Sequence, residues 1–466
     1  MIDYTLLIII IYRQYLPKFC RIEQTQETRM ATHVFSLRKG RAAAIAPLVF
    51  SIFALMAGPA AAQEQTITMW SHWPDEASKR TFIEERVKEF EAAEPSCKVK
   101  LQFIQKADLY SSVKTSVRTG QAPDIFWLEP DEIAFAKSGY LEPLDGYLDL
   151  NNLEDWAKRS WSWEGKVYGM PQEAYSVELY YNQSLMEKLG VNLSADAAPT
   201  QEQFTDMVAK SVAAGITPLA QGVADRPYPG AYFLQEILLR KLGVDDYEKL
   251  LTGQLSFKDP RVMEVMAWVK QLVDSGLYPK SLATLKLGES HYYFHTNPGA
   301  LMFPIASWYT GRAFVSPDQG GQPKDFPLGI MKYPVMEGSA CPECKTLAVG
   351  GSYVMYARSK NKECAGKMIS SLATVESGNK WMEGVLLQTG VKTDPSRITG
   401  IHAPYFKELM ANSEGAQFFI GTPLHYMAGK CGDTFSQVLN RAFPGGYVSV
   451  EDAAAQMDAA CLAKKS

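Results

Sequence analysis

The chain has 466 residues, 46% of them hydrophobic and 11% aromatic, which is too long for one ordinary core and too apolar for disorder. Residues 1–62 hold seven of the 47 Lys and Arg and three of the 51 Asp and Glu, so the remainder carries 40 basic against 48 acidic residues. An acidic chain without basic clusters argues against nucleic acid as a partner.

The first sixty residues differ from the rest. From Met30 the sequence runs "MATHVFSLRKGR", then the apolar "AAAIAPLVFSIFALMAG", then "PAAAQEQ". A basic stretch, an apolar stretch and an Ala-x-Ala site predict a secretory signal peptide cleaved after Ala62. Residues 1–29 carry a separate apolar run and do not read as part of it, so translation is expected to start at Met30. With no Cys at the cleavage point, no lipid anchor is expected, and an exported, periplasmic location follows.

After the leader, "TITMW" (66–70) alternates like a strand and is followed by "SHWPDE". "ASKRTFIEERVKEFEAAEP" spaces Ile83, Val87 and Phe90 at helical intervals and stops at Pro95. "KVKLQFI" alternates again, "DLYSSVKTSVRTG" is helical up to Gly120, and "DIFWL" is a short buried strand. The order β-α-β-α-β implies a parallel sheet with right-handed crossovers, whose ligands bind at the carboxyl ends of the strands. Those ends carry "SHWPDE", "QKAD" and "EPDE", which brings Trp70, His72, Trp73 and Trp127 beside Gln105, Lys106, Glu129 and Asp131. Aromatic faces with a few polar groups make a small-molecule site. Trp70 and Trp127 lie inside strands and equally fit a core; Trp73, beyond its strand, is expected to be exposed.

Further on, helices are predicted near 200–214, 231–242 and 260–275, then the strand "GALMFPI" (299–305), the loop "ASWYTGR", a turn-rich stretch (316–345) and "LAVGGSYVMYAR". Helical patterns close the chain at 362–375, 377–386 and 449–463. The cluster His291, Tyr292, Tyr293 and His295 reads as lobe packing or a cleft rim rather than a metal site, and Met263, Met266 and Met302 as core filler.

Six cysteines follow the leader, and an exported chain meets an oxidising compartment, so disulfides are expected. Among fifteen possible connectivities, the expected pairs are Cys341 with Cys344, held close by "CPEC", Cys431 with Cys461, and Cys97 with Cys364. A thioredoxin-like reading of "CPEC" requires a strand before it and a helix after it, whereas this one lies in a turn. No second Cys or His pair suits zinc.

The succession "ITMWSHW", "APDIFWLEPDEIAFAKSGYLEPLDGYL", "GKVYGMPQEAYSVELYYNQSLMEKLG", "ITPLAQG", "GALMFPIASW" and "AVGGSYVMYARSKNKECAGKMISSLAT" resembles the extracellular solute-binding proteins of ABC importers, in particular the sugar-binding group that includes maltose-binding protein. The resemblance implies an α/β periplasmic-binding-protein fold, with two lobes joined by a hinge and a ligand cleft between them. It implies a first lobe of 63–172 plus 325–376, a second of 173–324 plus 377–466, and a hinge crossing near Met170 and Pro171. It also implies a monomer with no cofactor, which delivers a sugar to the permease subunits of the membrane transporter. Matching positions carry over as ligand contacts: Glu129 or Asp131 after "PDIFW", Tyr175 in "MPQEAYSVELYYN", Trp308 with Tyr309 and Arg312 in "ASWYTGR", and Gly350, Gly351 and Ser352 in "GGS", where the backbone would approach the ligand. The cysteines depart from a family often free of disulfides.

A pyranose has apolar C–H faces and a rim of hydroxyls, which suits Trp and Tyr for the faces and Glu, Asp, Arg, Gln and Lys for the rim. Two other readings share these residues. A polyamine or sugar phosphate fits the same fold with charged contacts, and a secreted glycoside hydrolase would use two of Glu129, Asp131 and Glu173. No Gly-x-Ser-x-Gly, His-Glu-x-x-His or Walker motif is present to support catalysis.

Overall fold

The computed structural model describes residues 64–192, 197–225, 228–296, 299–427 and 429–462. The expected signal peptide and the start at Met30 lie outside them. Thirteen strands occur among the described residues: β1 (Gln65–Ser71), β2 (Cys97–Phe103), β3 (Ile125–Leu128), β4 (Ser162–Trp163), β5 (Lys166–Val167), β6 (Gly169–Met170), β7 (Ala174–Asn182), β8 (Thr217–Leu219), β9 (Ala300–Ala306), β10 (Leu328–Met331), β11 (Lys345–Val349), β12 (Ser352–Met355) and β13 (Phe418–Ile420).

Two sheets organise two separate cores. The first has the order β2-β1-β3-β12-β6. β1 lies parallel to β2 and β3, as the β-α-β-α-β reading requires, and β12 closes on β3 in the antiparallel sense. The helices Ala77–Ala93 and Lys106–Thr119 make the crossovers, and their periodic residues Ile83, Val87, Phe90, Val113 and Val117 pack into this core. The second sheet has the order β13-β11-β7-β9-β8, with β10 also on β7. The long β7 is its centre, paired with β9 along one edge and with β10 and β11 along the other.

This pairing corrects the lobe boundaries. Residues 325–348, expected in the first lobe, hold β10 and β11, whose hydrogen bonds to β7 tie them to the second sheet. Conversely, Trp381, Val385, Leu387 and Val391, expected in the second lobe, pack in the first core.

The chain passes between the sheets at 171–173, 350–351 and 386–390. These three crossings are themselves bonded together: Gly350 N donates to Glu173 O at 2.8 Å, Glu173 N to Gly351 O at 2.8 Å, Ala174 N to Gln388 O at 3.0 Å and Gly390 N to Pro171 O at 3.1 Å. The connection is thus a short three-stranded strap that includes the predicted crossing after Met170 and Pro171.

All three expected disulfides are formed. Cys97–Cys364 ties the start of β2 to the helix Lys362–Leu372, and Cys431–Cys461 ties the helix Lys430–Gln437 to Val450–Cys461. Cys341–Cys344 is buried, and Cys341 N donates to Arg240 O at 3.0 Å, supplying one of the donors that the last turn of the helix Tyr232–Leu242 lacks. That is a structural staple. Among the described residues no helix is long and apolar enough to cross a membrane.

Candidate functional site

The carboxyl ends of β1 and β3 and the start of the helix after β2 converge on one cavity of about 190 Å³ between the two sheets. His72, Trp73, Lys106, Trp127, Glu129 and Asp131 line it from the first lobe, Tyr175, Trp308 and Arg312 from the second, and Glu173 from the strap. Of the residues singled out in the sequence, Trp70, Gln105, Tyr309, Gly350, Gly351 and Ser352 are not among those that line it; Gln105 donates to Asp75 instead.

Each exclusion has a local cause. Trp70 lies on the face of β1 opposite Met69 and Ser71, because side chains alternate along a strand, and packs beside the first core. Tyr309 is fully buried in the second core with its hydroxyl 2.9 Å from His295 Nδ1. A Cβ on Gly351 would stand 2.1 Å from Trp127 Nε1 and 2.6 Å from Trp73 Cζ2. The glycine therefore makes room for two tryptophans rather than for a ligand. Gly350 abuts the Glu173 side chain, and Ser352 Oγ accepts from Trp161 Nε1 at 2.9 Å.

Trp73 reverses the expectation of exposure. It adopts φ 74°, a left-handed conformation that few non-glycine residues take. The turn folds the ring back under the sheet, where it is 2% exposed and packs edge-on to Trp127 and Tyr353, with Trp381 at 5.6 Å. Lysines stand over two of the tryptophans: Lys79 Nζ lies 5.1 Å from the Trp73 ring and Lys106 Nζ 5.6 Å from that of Trp127. Trp308 is different. It packs against both cores yet stays partly exposed, the one of the three tryptophans lining this cavity that is not buried.

The polar wall is a charge network. Lys79 bridges Glu173 at 2.7 Å and Glu76 at 2.9 Å, and Glu76 meets Arg312 from the other lobe at 3.3 Å. Burial opposes ionisation of Glu76, but Lys79 and Arg312 together outweigh it and hold its carboxyl far below the usual carboxylate range. Glu173 has Lys79 but also faces Glu76 and Glu129; there burial wins and raises the carboxyl. Both carboxylates keep Lys79 protonated against its own burial. Across the cavity, Lys106 and Tyr110 donate to Glu129 at 2.8 and 3.0 Å; these contacts overcome burial and lower that carboxyl. Asp131 accepts from Thr422 Oγ1 at 3.0 Å, a second polar contact between the lobes.

His72 is buried, which lowers its pKa to about 4 and leaves it neutral. Its Nδ1 lies 3.3 Å from the Ile104 carbonyl, which can only accept, so Nδ1 carries the proton and Nε2 remains an acceptor. Among the described residues no cluster of His, Cys, Asp and Glu could hold a metal ion.

The sequence reading missed Glu76, Lys79, Tyr232, Gln235, Thr422, Phe435 and Asn440, all of which line the cavity. Gln235 Nε2 donates to Asn440 Oδ1 at 3.4 Å, whereas Asn440 Nδ2 is buried with no acceptor among the described residues.

A family described as bacterial extracellular solute-binding protein matches residues 85–391. The chain belongs to this family. Among relatives of this solute-binding protein, the multiple sugar-binding protein of Streptococcus mutans is 23% identical over 305 residues, 64% of this chain and 69% of that one. The arabinooligosaccharide-binding protein of Bacillus subtilis is 24% identical over 330 residues, covering 68% and 72%. Solved structures share the two-lobed fold. A chitin oligosaccharide binding protein superposes with TM-score 0.73 at 20% identity, over 84% of this chain and 97% of the other. The solute-binding protein RafE in complex with raffinose gives 0.66 at 20% identity, over 85% and 99%.

Proposed function

We propose that the protein is the substrate-binding component of an ABC importer, which closes its lobes on a neutral sugar in the periplasm and delivers it to the membrane permease. The observation that carries this reading is a cavity walled by both lobes, lined by the partly exposed Trp308 and rimmed by paired charged groups. A flat aromatic suits the apolar face of a pyranose, and fixed carboxylates and ammonium groups suit its hydroxyls, each such hydrogen bond contributing about 1.5–3 kcal/mol. A few of these reach micromolar affinity, about −8 kcal/mol. The sugar ligands in the names of the relatives support the same class.

The reading is binding without catalysis. Glycoside hydrolysis needs two carboxyl groups flanking the bond, one of them free to give its proton to the leaving group. Here Glu76 and Glu173 share Lys79 and Glu129 is held by Lys106 and Tyr110, so that although burial and Glu129 raise the Asp131 carboxyl to about 7, the carboxylates that would have to act with it are already engaged. A charged solute would have to displace one of these pairs.

A thermal-shift screen of the purified protein against neutral sugars, polyols, polyamines and sugar phosphates, with analysis of the recovered ligand, tests the proposal. A ligand at 100 times its dissociation constant stabilises by about 2.7 kcal/mol. Stabilisation by a sugar recovered intact is expected; stabilisation by charged solutes alone, or hydrolysis of the sugar, would overturn it.

A further inference from the structure

A cavity of about 200 Å³ lies behind the strap, on the side away from the cleft. Neighbouring residues of β7 divide between the two: Tyr175 lines the cleft cavity, and Ser176, paired with Leu347 on β11, lines this one, because side chains alternate along a strand. Both lobes wall it, Trp156 packing on the first core and Phe406 and Leu409 in the second, with Gln388 of the strap between them. The volume exceeds the roughly 150 Å³ that holds one benzene ring in an engineered core. Gln388 joins the two cavities. Its Oε1 accepts from Ser176 N at 3.1 Å and from Oγ of Ser307, the residue before Trp308, at 2.9 Å. Its backbone carbonyl accepts from Nε1 of Trp381, the ring beside Trp73, at 3.2 Å. Its Nε2 has no partner among the described residues.

We infer that this cavity is an effector site for a small neutral aromatic molecule with one oxygen acceptor, of the size of benzamide or phenol, and that its occupancy tightens sugar binding in the cleft. The ring lies among Trp156, Phe406 and Leu409, and the oxygen accepts from Gln388 Nε2. The Glu154 carboxylate, which also lines the cavity, opposes an anion. The direction of the coupling follows from the hinge. In this structure the lobes meet across the cleft through Glu76 and Arg312 at 3.3 Å and through Asp131 and Thr422 at 3.0 Å. The strap lies between the cleft and the rear cavity, so a rotation that parts those contacts brings Trp156 toward Phe406 and Leu409 and closes the space. A molecule held there binds the shut arrangement better than the open one, and that differential affinity is what shifts the equilibrium. By linkage, bound sugar tightens aromatic binding by the same factor. The coupling rests on the sugar-binding reading above; the site itself does not.

The test is calorimetric titration of the purified protein and two variants with benzamide, phenol and toluene, alone and in the presence of the sugar found by the thermal-shift screen. Met410 lines the cavity and is 53% exposed, so Met410→Trp fills the space from the surface and leaves both cores intact. Trp156→Ala removes an aromatic wall. Benzamide or phenol should bind saturably at one site, at least about threefold more tightly than toluene, which offers no acceptor, and each variant should weaken that binding at least about tenfold. Saturating benzamide should lower the dissociation constant of the sugar about fivefold or more, saturating sugar should lower that of benzamide by the same factor, and Met410→Trp should abolish the effect of benzamide on the sugar. No saturable binding of either probe, or binding unchanged in both variants, would overturn the site. Toluene bound as tightly as benzamide would overturn the role of Gln388, and a sugar affinity unmoved by bound benzamide would overturn the coupling. Aromatic binding by a protein that binds no sugar would overturn the sugar reading, and the coupling with it, and leave the rear site standing.

Discussion

Replacing Lys79 by Met probes the charge network at its centre. The lysine side chain is 4% exposed and bridges two carboxylates, one at the helix start and one on the strap between the lobes. Met keeps the bulk and deletes the cation. Glu76 retains Arg312, but Glu173 is left buried without a positive partner, a situation that costs about 3–5 kcal/mol. At roughly 2–4 °C per kcal/mol for a unit of 150–250 residues, the melting temperature should fall by about 6–20 °C at pH 8. The pH dependence gives the stricter check. Burial already raises the Glu173 carboxyl above its unfolded value, and loss of Lys79 raises it further. The folded state of the variant then takes up a proton before the unfolded state does, so the penalty is full above the folded pKa and relieved as pH falls through it. Differential scanning calorimetry should show the gap between variant and parent narrowing from pH 8 to pH 5, and Glu173→Gln should rescue much of the loss. A gap of less than 2 °C, or one that is the same at both pH values, would refute the coupling.

Three further outcomes are expected. Trp308→Ala should weaken sugar binding by about 1–3 kcal/mol, read by titration calorimetry, and because the ring packs on both cores it should also lower the melting temperature. Gly351→Ala would force a methyl group against Trp127 and Trp73, and urea denaturation should show a loss of about 1–3 kcal/mol. Thiol titration of the denatured protein should find none of the six bonded cysteines free, and the double variant Cys97→Ser, Cys364→Ser should lose about 2–5 kcal/mol, because that bridge closes the longest loop.

Much of the first lobe was legible because periodicity is a local signal. Alternation in "TITMW" and "KVKLQFI" and the spacing of Ile83, Val87 and Phe90 placed the strands and their crossovers, and the sheet rule then put His72, Lys106 and Glu129 at one cavity. Trp73 escaped because its position depends on a single left-handed φ, which no pattern of hydrophobicity encodes. The glycine pair was found but its purpose was not, since the neighbours of Gly351 come from two distant strand ends. Tyr232 and Gln235 carried a readable sign: "YFLQEILLRKL" is apolar around most of its circumference, and the helix is buried on every face, Gln235 and Glu236 included. Such a helix must pack against structure on several sides, and one of those sides is the cleft. Thr422, Phe435 and Asn440 come from short elements after β13 whose approach to the cavity is set only by the second sheet. The lobe boundary at 325 failed for a related reason: β10 is four residues in a turn-rich stretch, stabilised by its pairing with β7.

The most direct test of the central claim is calorimetric titration of the purified protein with neutral saccharides alongside polyamines and sugar phosphates, followed by chromatography of the ligand released on denaturation. The account predicts one neutral saccharide bound per chain with a micromolar dissociation constant and recovered chemically unchanged. Saturable binding of charged solutes in place of sugars, or recovery of a cleaved sugar, would contradict it.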